Sequence, residues 1–143
     1  MCGRGRGARI HRFVLDGGSM IFVFGGSYQG KLEFVKRKFG VTDAEYCTPG
    51  NRALSFDRPL IYAFHEFTYG CECRGEDALA YIRANRAVFA DKIVISDDIS
   101  RGLVPTDETE RAWRETNGRC CNQLAAWADE VYTVFCGIGQ RIK

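Results

Sequence analysis

Four short apolar runs punctuate the chain: Met20–Phe24, Leu60–Phe64, Ile93–Ile95 and Val131–Phe135. Each is unbroken rather than alternating, the pattern of a strand covered on both faces in a parallel sheet. Between them lie stretches with helical periodicity. Leu32–Phe39 places Phe34 and Val35 on one face and stops at Gly40. Gly75–Phe89 offers Ala78, Leu79, Ile82 and Val88 as core positions, and Asp107–Ala128 is the longest helical pattern, with Thr106 as its N-cap. Residues 41–58 carry no clear periodicity beyond the turn signal Thr48-Pro49-Gly50-Asn51. Strands alternating with helices predict a three-layer α/β fold with a mainly parallel sheet. Ligands of such sheets bind at the carboxyl ends of the strands. Gly25–Lys31, His65-Glu66, Asp97-Asp98 and Gly137–Gly139 all follow strands and are expected to gather at one edge.

The first of these segments carries the sharpest chemistry. Gly25-Gly26-Ser27-Tyr28-Gln29-Gly30-Lys31 has the spacing of a Walker A phosphate loop between a buried strand and a helix. Glycines let the backbone curl so that successive N–H groups face one anion, the helix N-terminus adds its dipole, and Lys31 supplies a point charge. The alternative is a Gly-rich tight turn with a solvated lysine. The context favours a P-loop nucleotide-binding domain, with residues 25–32 as the binding segment. The next position should be Ser or Thr, to ligate Mg²⁺, and is Leu32. Either other groups and water hold Mg²⁺, or phosphoryl transfer is weak or absent.

Composition narrows the picture. At 143 residues and 45% hydrophobic content the chain suits one core, and ten Phe, six Tyr and two Trp supply its bulk. A net charge of +2 is too small to make nucleic acid or a membrane surface the main partner. No run reaches the ~20 apolar residues of a membrane span, and no secretory signal follows the basic N-terminus. The seven cysteines therefore read as reduced thiols of a cytoplasmic protein. The pairs Cys71/Cys73 and Cys120/Cys121 lack zinc-site spacing, and no zinc is expected. Residues 1–19 are Gly/Arg-rich and complete no strand–helix unit. Either they form a disordered basic tail that touches phosphate, or Met20 is the true start, Gly17-Gly18 codons encoding a ribosome-binding sequence. The domain is placed at 20–143.

The C-terminal third is specific enough to resemble a known family. Ser96-Asp97-Asp98-Ile99-Ser100-Arg101-Gly102-Leu103-Val104-Pro105 is similar to the acidic, Gly-[Ile/Leu/Val]-Val-Pro loop of the adenosylcobinamide kinase / adenosylcobinamide-phosphate guanylyltransferases. Gly118-Arg119-Cys120-Cys121-Asn122-Gln123 resembles that family's Gly-Arg-x-Asn-Gln helix, with the Asn-Gln pair shifted by one residue. Ala128–Val131 and Gly137–Lys143 resemble its final strand and ending, and the loop at Gly25 its opening. The resemblance implies cobalamin nucleotide-loop assembly. An ATP- or GTP-dependent kinase phosphorylates adenosylcobinamide, then GMP passes to the product through a GMP-histidine intermediate; Mg²⁺ assists, and the family's habit is a homo-oligomer.

Two departures accompany the likeness. The family's length between the P-loop helix and the middle strand, where its guanylylated histidine lies beside Arg-Pro, is missing. No histidine lies between Phe39 and Pro59, and His11 and His65 are the chain's two. His65 is thus the sole in-domain candidate nucleophile, against the alternative of a strand-end His satisfied by a carbonyl. Glu66 matches the acidic residue after the family's middle strand, either orienting Mg²⁺ or solvated. Of Asp97 and Asp98, one binds metal or substrate hydroxyl while the other caps a turn. Lys31, Glu66, Asp98 and His65 are the catalytic candidates, with Glu66 and Asp97 as metal ligands. Arg141 and Lys143 either reach phosphate or are solvated.

Overall fold

The computed structural model describes residues 18–100, 102–103 and 105–143. The expectation for residues 1–17 lies outside them. A six-stranded sheet forms the middle layer, in the order β2-β3-β4-β1-β5-β6. Its strands are β1 (Ile21–Gly25), β2 (Ala44–Tyr46), β3 (Leu60–Tyr62), β4 (Ile93–Asp97), β5 (Glu130–Phe135) and β6 (Ile138–Arg141). All neighbours pair parallel except β5 and β6, a hairpin. Among the described residues the helices are α1 (Lys31–Phe39), α2 (Phe64–Cys73), α3 (Ala78–Ala84), α4 (Arg86–Phe89) and α5 (Glu108–Trp127).

Alternation within β1 builds both cores. Ile21 and Val23 meet Phe34, Val35 and Phe39 of α1 on one face. Met20 and Phe22 share the other with Phe64 and Phe67 of α2, Ile82 of α3, Phe89 of α4 and Leu124 of α5. The sheet is thus covered on both sides, which explains the unbroken apolar runs. Met20 is buried and tied to Asp129 ahead of β5: its N–H donates to Asp129 Oδ2 at 2.8 Å and its carbonyl accepts from Asp129 N. In a chain beginning at Met20 the new α-ammonium would stand on the Asp129 carboxylate. Such a chain is expected to keep its melting temperature and nucleotide affinity, read by calorimetry beside the full chain; a large loss of either would show that residues 1–19 pack on the domain.

Several boundaries differ from the sequence reading. The helix expected over 75–89 is two helices, because Asn85 departs from helical geometry at φ −109°, ψ 19°. Val88 is consequently exposed, and Phe89 takes the core position. Asp107, not Thr106, caps α5, its carboxylate accepting from Thr109 N at 2.8 Å. The run at 60–64 yields only three strand residues, because the chain turns at Ala63 (φ 61°) straight into α2. Nothing in the sequence marks an alanine for the left-handed region, where its Cβ crowds the backbone. Helix α2 itself is aromatic-rich and contains Gly70, a composition of weak helix propensity. Its trace was Phe64, Phe67, Thr68 and Cys71, a helical spacing whose members are all buried. Gly70 is required by close approach, since a Cβ there would sit 2.0 Å from Pro49 O.

Candidate functional site

The glycine loop leaves β1 at Gly25 and enters α1 at Lys31. Tyr28 (φ 57°) and Gly30 (φ 83°) both adopt left-handed conformations, the backbone alternation that turns amide groups toward one anion. Tyr28 tolerates this with its side chain wholly in solvent. The far side of the loop is pinned by the turn into β6: Gly137 N donates to Gln29 O at 2.7 Å, and Cys136 N to Gln29 Oε1 at 2.7 Å.

Lys31 is buried beneath the loop. Its ammonium donates to Gly26 O at 2.6 Å and stands 2.6 Å from Asp97 Oδ1. An ammonium has three donors, so one N–H remains beyond these two contacts. Asp97 ends β4 directly opposite Gly25 of β1, and its second oxygen accepts from Ser27 Oγ at 2.9 Å. Glycine loop, lysine and strand-end carboxylate therefore converge.

The turn at Ala63 delivers His65 and Glu66 to the same place, in the first turn of α2 rather than on a strand end. His65 Nδ1 accepts from the Asp97 backbone N–H at 3.1 Å. Its remaining proton belongs on Nε2, which lies 3.4 Å from Glu66 Oε1 and 3.6 Å from Asp97 Oδ2. Burial lowers the imidazole pKa below the ordinary value, the two carboxylates opposing and Lys31 assisting, so the ring is neutral near pH 7. The expectation that a carbonyl satisfies His65 is corrected: its partner is an amide.

Asp98 turns elsewhere. Its N–H donates to Gly25 O at 2.7 Å and its carboxylate accepts from Ser100 N at 3.0 Å, a turn-capping role. It lines a separate cavity of about 170 Å³ with Asn117 and Asn122. The structure thus brings Lys31, Ser27, Asp97, His65 and Glu66 together, without Asp98. Leu32 is half-buried against the α1-side core and offers no polar atom. Lys143 and Arg141 do not face the loop. Lys143 Nζ donates to Ala125 O and Ala126 O at the end of α5, and Arg141 pairs with Glu130 at 3.2 Å. The glycine loop opens on a cavity of about 680 Å³ that also reaches Tyr62, Glu66, Ile99 and Trp113. Trp113 escaped the sequence reading because a lone aromatic on a long helix carries no motif.

None of the six described cysteines lines this cavity. Burial pushes the Cys47 and Cys120 thiols up to about 12 and Cys121 to about 11, which keeps them protonated. Among the described residues, no group of three His, Cys, Asp or Glu side chains is arranged to hold a metal ion. No described helix is long and apolar enough to cross a membrane.

A family model for cobinamide kinase / cobinamide phosphate guanyltransferase matches residues 70–142, about half of the chain. The chain belongs to this family. The match to the cobinamide kinase / guanyltransferase family takes in β4, α5 and the β5–β6 hairpin, and the glycine loop precedes it. Two similar proteins, from Salmonella typhimurium and Escherichia coli, are each named bifunctional adenosylcobalamin biosynthesis protein CobU. Each is 39% identical over 54 residues, covering 38% of this chain. The aligned stretch spans only 30% of each relative's length.

Proposed function

We propose that this chain binds ATP or GTP on the Gly25–Lys31 loop and carries the kinase half of its family's activity, phosphorylating adenosylcobinamide or a similar alcohol. The observation that carries the reading is Lys31 buried under the glycine loop and bridging Gly26 O to Asp97. In the reaction, the acceptor hydroxyl oxygen attacks the γ-phosphorus, the bond from phosphorus to the β,γ-bridging oxygen breaks, and nucleoside diphosphate leaves. The acceptor proton passes to the Glu66 carboxylate. Loop amides and Lys31 hold the phosphates and offset their charge.

Mg²⁺ fits the residues present. Asp97 and Ser27 offer a carboxylate and a hydroxyl already hydrogen-bonded to each other, and hard oxygen donors suit this ion. Bound there, it would supply charge neutralisation at the phosphates. Ser27 would then contribute the hydroxyl that Leu32 lacks.

Guanylyl transfer through histidine needs a free imidazole lone pair. His65 Nδ1 is already an acceptor, and its Nε2 faces two carboxylates that repel an anionic phosphate. We therefore expect no acid-labile label on the protein after incubation with α-labelled GTP, and a Leu32→Ser variant that phosphorylates faster. A GMP adduct lost in His65→Ala would reverse the assignment.

Titration calorimetry with ATP and GTP, with and without Mg²⁺, followed by a cobinamide phosphorylation assay, tests the whole reading. Nucleotide binding without phosphorylation would favour a second reading that Leu32 motivates, a catalytically impaired binding or assembly subunit. A homo-oligomer in the cytoplasm completes the proposal. The β5–β6 hairpin at the sheet's edge exposes Phe135 and Ile138, a surface for self-association, and light scattering after gel filtration reads it.

A further inference from the structure

The 680 Å³ cavity has two ends of different chemistry. At one lie the glycine loop and the Lys31 ammonium. At the other, beyond Asp97 and away from β5, lie Tyr62, Ile99 and Trp113, with Glu66 as the acidic group among them. A strand-end carboxylate beside a phosphate loop marks the β/γ end of a bound triphosphate. The second end is therefore where a group receiving the γ-phosphate would sit.

Trp113 is held there by a buried polar assembly. Its Nε1–H is shared between His65 O and Thr68 Oγ1, each at 3.0 Å. Thr68 is fully buried, and its hydroxyl contacts Asn117 Oδ1 at 2.8 Å. Asn117, buried in turn, reaches Cys121 Sγ at 3.6 Å, and that sulfur lies 3.8 Å from Ser96 Oγ on β4. Tyr69 packs edge-on against the indole, ring centroids 5.0 Å apart. The ring's one polar atom is thus consumed inside the protein, and what it can present to the cavity is apolar aromatic surface. A platform fixed in this way gives up little entropy when a ligand covers it.

We propose that Trp113, with Ile99, forms the apolar wall of an acceptor subsite, and that Thr68 and Asn117 are positioning residues for its indole. The subsite takes a hydroxyl-bearing acceptor with an apolar face, the hydroxyl directed at Glu66. This inference rests on the kinase reading above for the direction of the triphosphate. Cobinamide, the substrate in the family's description, has that chemistry: a hydroxyl on a flexible arm attached to a broad ring.

The test is titration calorimetry with cobinamide and, separately, with ATP and GTP, on the full chain and three variants. Trp113→Ala should weaken cobinamide binding about tenfold or more, the scale of removing a buried aromatic anchor, and leave nucleotide Kd within roughly twofold. Trp113→Phe should recover much of the loss. Thr68→Val, which keeps shape and removes the hydroxyl, should weaken cobinamide binding with nucleotide affinity retained; that retention shows the variant is folded. Cobinamide affinity unchanged in Trp113→Ala would overturn the subsite, as would a loss of nucleotide affinity instead, or no cobinamide binding by the unaltered chain. Failure of the kinase reading is distinct: ATP and GTP would give no heat with the unaltered chain.

Discussion

Replacing Lys31 with alanine is expected to cost nucleotide affinity about 1.5–3 kcal/mol, the range for a charge-assisted hydrogen bond, or roughly tenfold to 150-fold in Kd. The expectation follows from position rather than residue type. A solvated lysine at the tip of a turn would be dispensable, but Lys31 is buried and stands 2.6 Å from both Gly26 O and Asp97 Oδ1. Its removal would take away the proposed phosphate contact and also leave Asp97 without its ammonium partner. Lys31→Arg should not rescue, because a planar fork does not fit a site built for a compact ammonium. Calorimetric titration of ATP and GTP into both variants reads the effect. Unchanged affinity in Lys31→Ala would remove the nucleotide-binding proposal.

The legible and illegible parts of this molecule divide along one physical line. Strands buried on both faces announce themselves as apolar runs, and β1, β4 and β5 are found where those runs lie. The glycine loop was readable because its chemistry is local: seven consecutive residues fold on themselves between a strand and a helix. Asp97 and Asp98 were not separable from sequence, since successive strand-end residues point oppositely. Only the pairing of Gly25 with Asp97 across β1 and β4 decides which carboxylate meets the loop. The place of His65 and Glu66 depended on a single alanine at φ 61°, which no propensity foretells. Trp113 meets α2 through an indole bond spanning 48 residues to His65 O, a contact fixed by the packing of α5 on α2. Local chemistry, then, was visible from the chain, as was the gathering of Glu66 and Asp97 at the loop's edge; which aspartate meets the lysine, and where Trp113 sits, are products of topology.

Gly25→Ala is expected to damage stability and binding together, for a reason distinct from the usual one for glycine in a phosphate loop. Gly25 does not occupy the left-handed region; among the loop glycines of residues 25–31 that role falls to Gly30. It is glycine because β5 runs beside it: a Cβ at this position would lie 2.5 Å from Val134 O and 3.4 Å from Val134 C and N. Those atoms are sheet backbone and cannot rotate away as a side-chain tip would. Accommodation requires β1 and β5 to separate at the point where the loop departs, and overpacking of this kind costs about 1–3 kcal/mol. For a domain of this size each kcal/mol lowers Tm by about 3–5 °C. The same displacement moves Gly25 relative to Asp97 across the β1–β4 pairing, loosening the contacts of Asp97 with Lys31 and Ser27. Gly26→Ala is the control, because a Cβ there meets nothing nearer than the flexible Gln29 side chain at 3.5 Å. Thermal unfolding should therefore separate the two, with a clear fall in Tm for Gly25→Ala and little change for Gly26→Ala. Equal melting temperatures would mean that β5 does not confine the start of the loop as the structure has it.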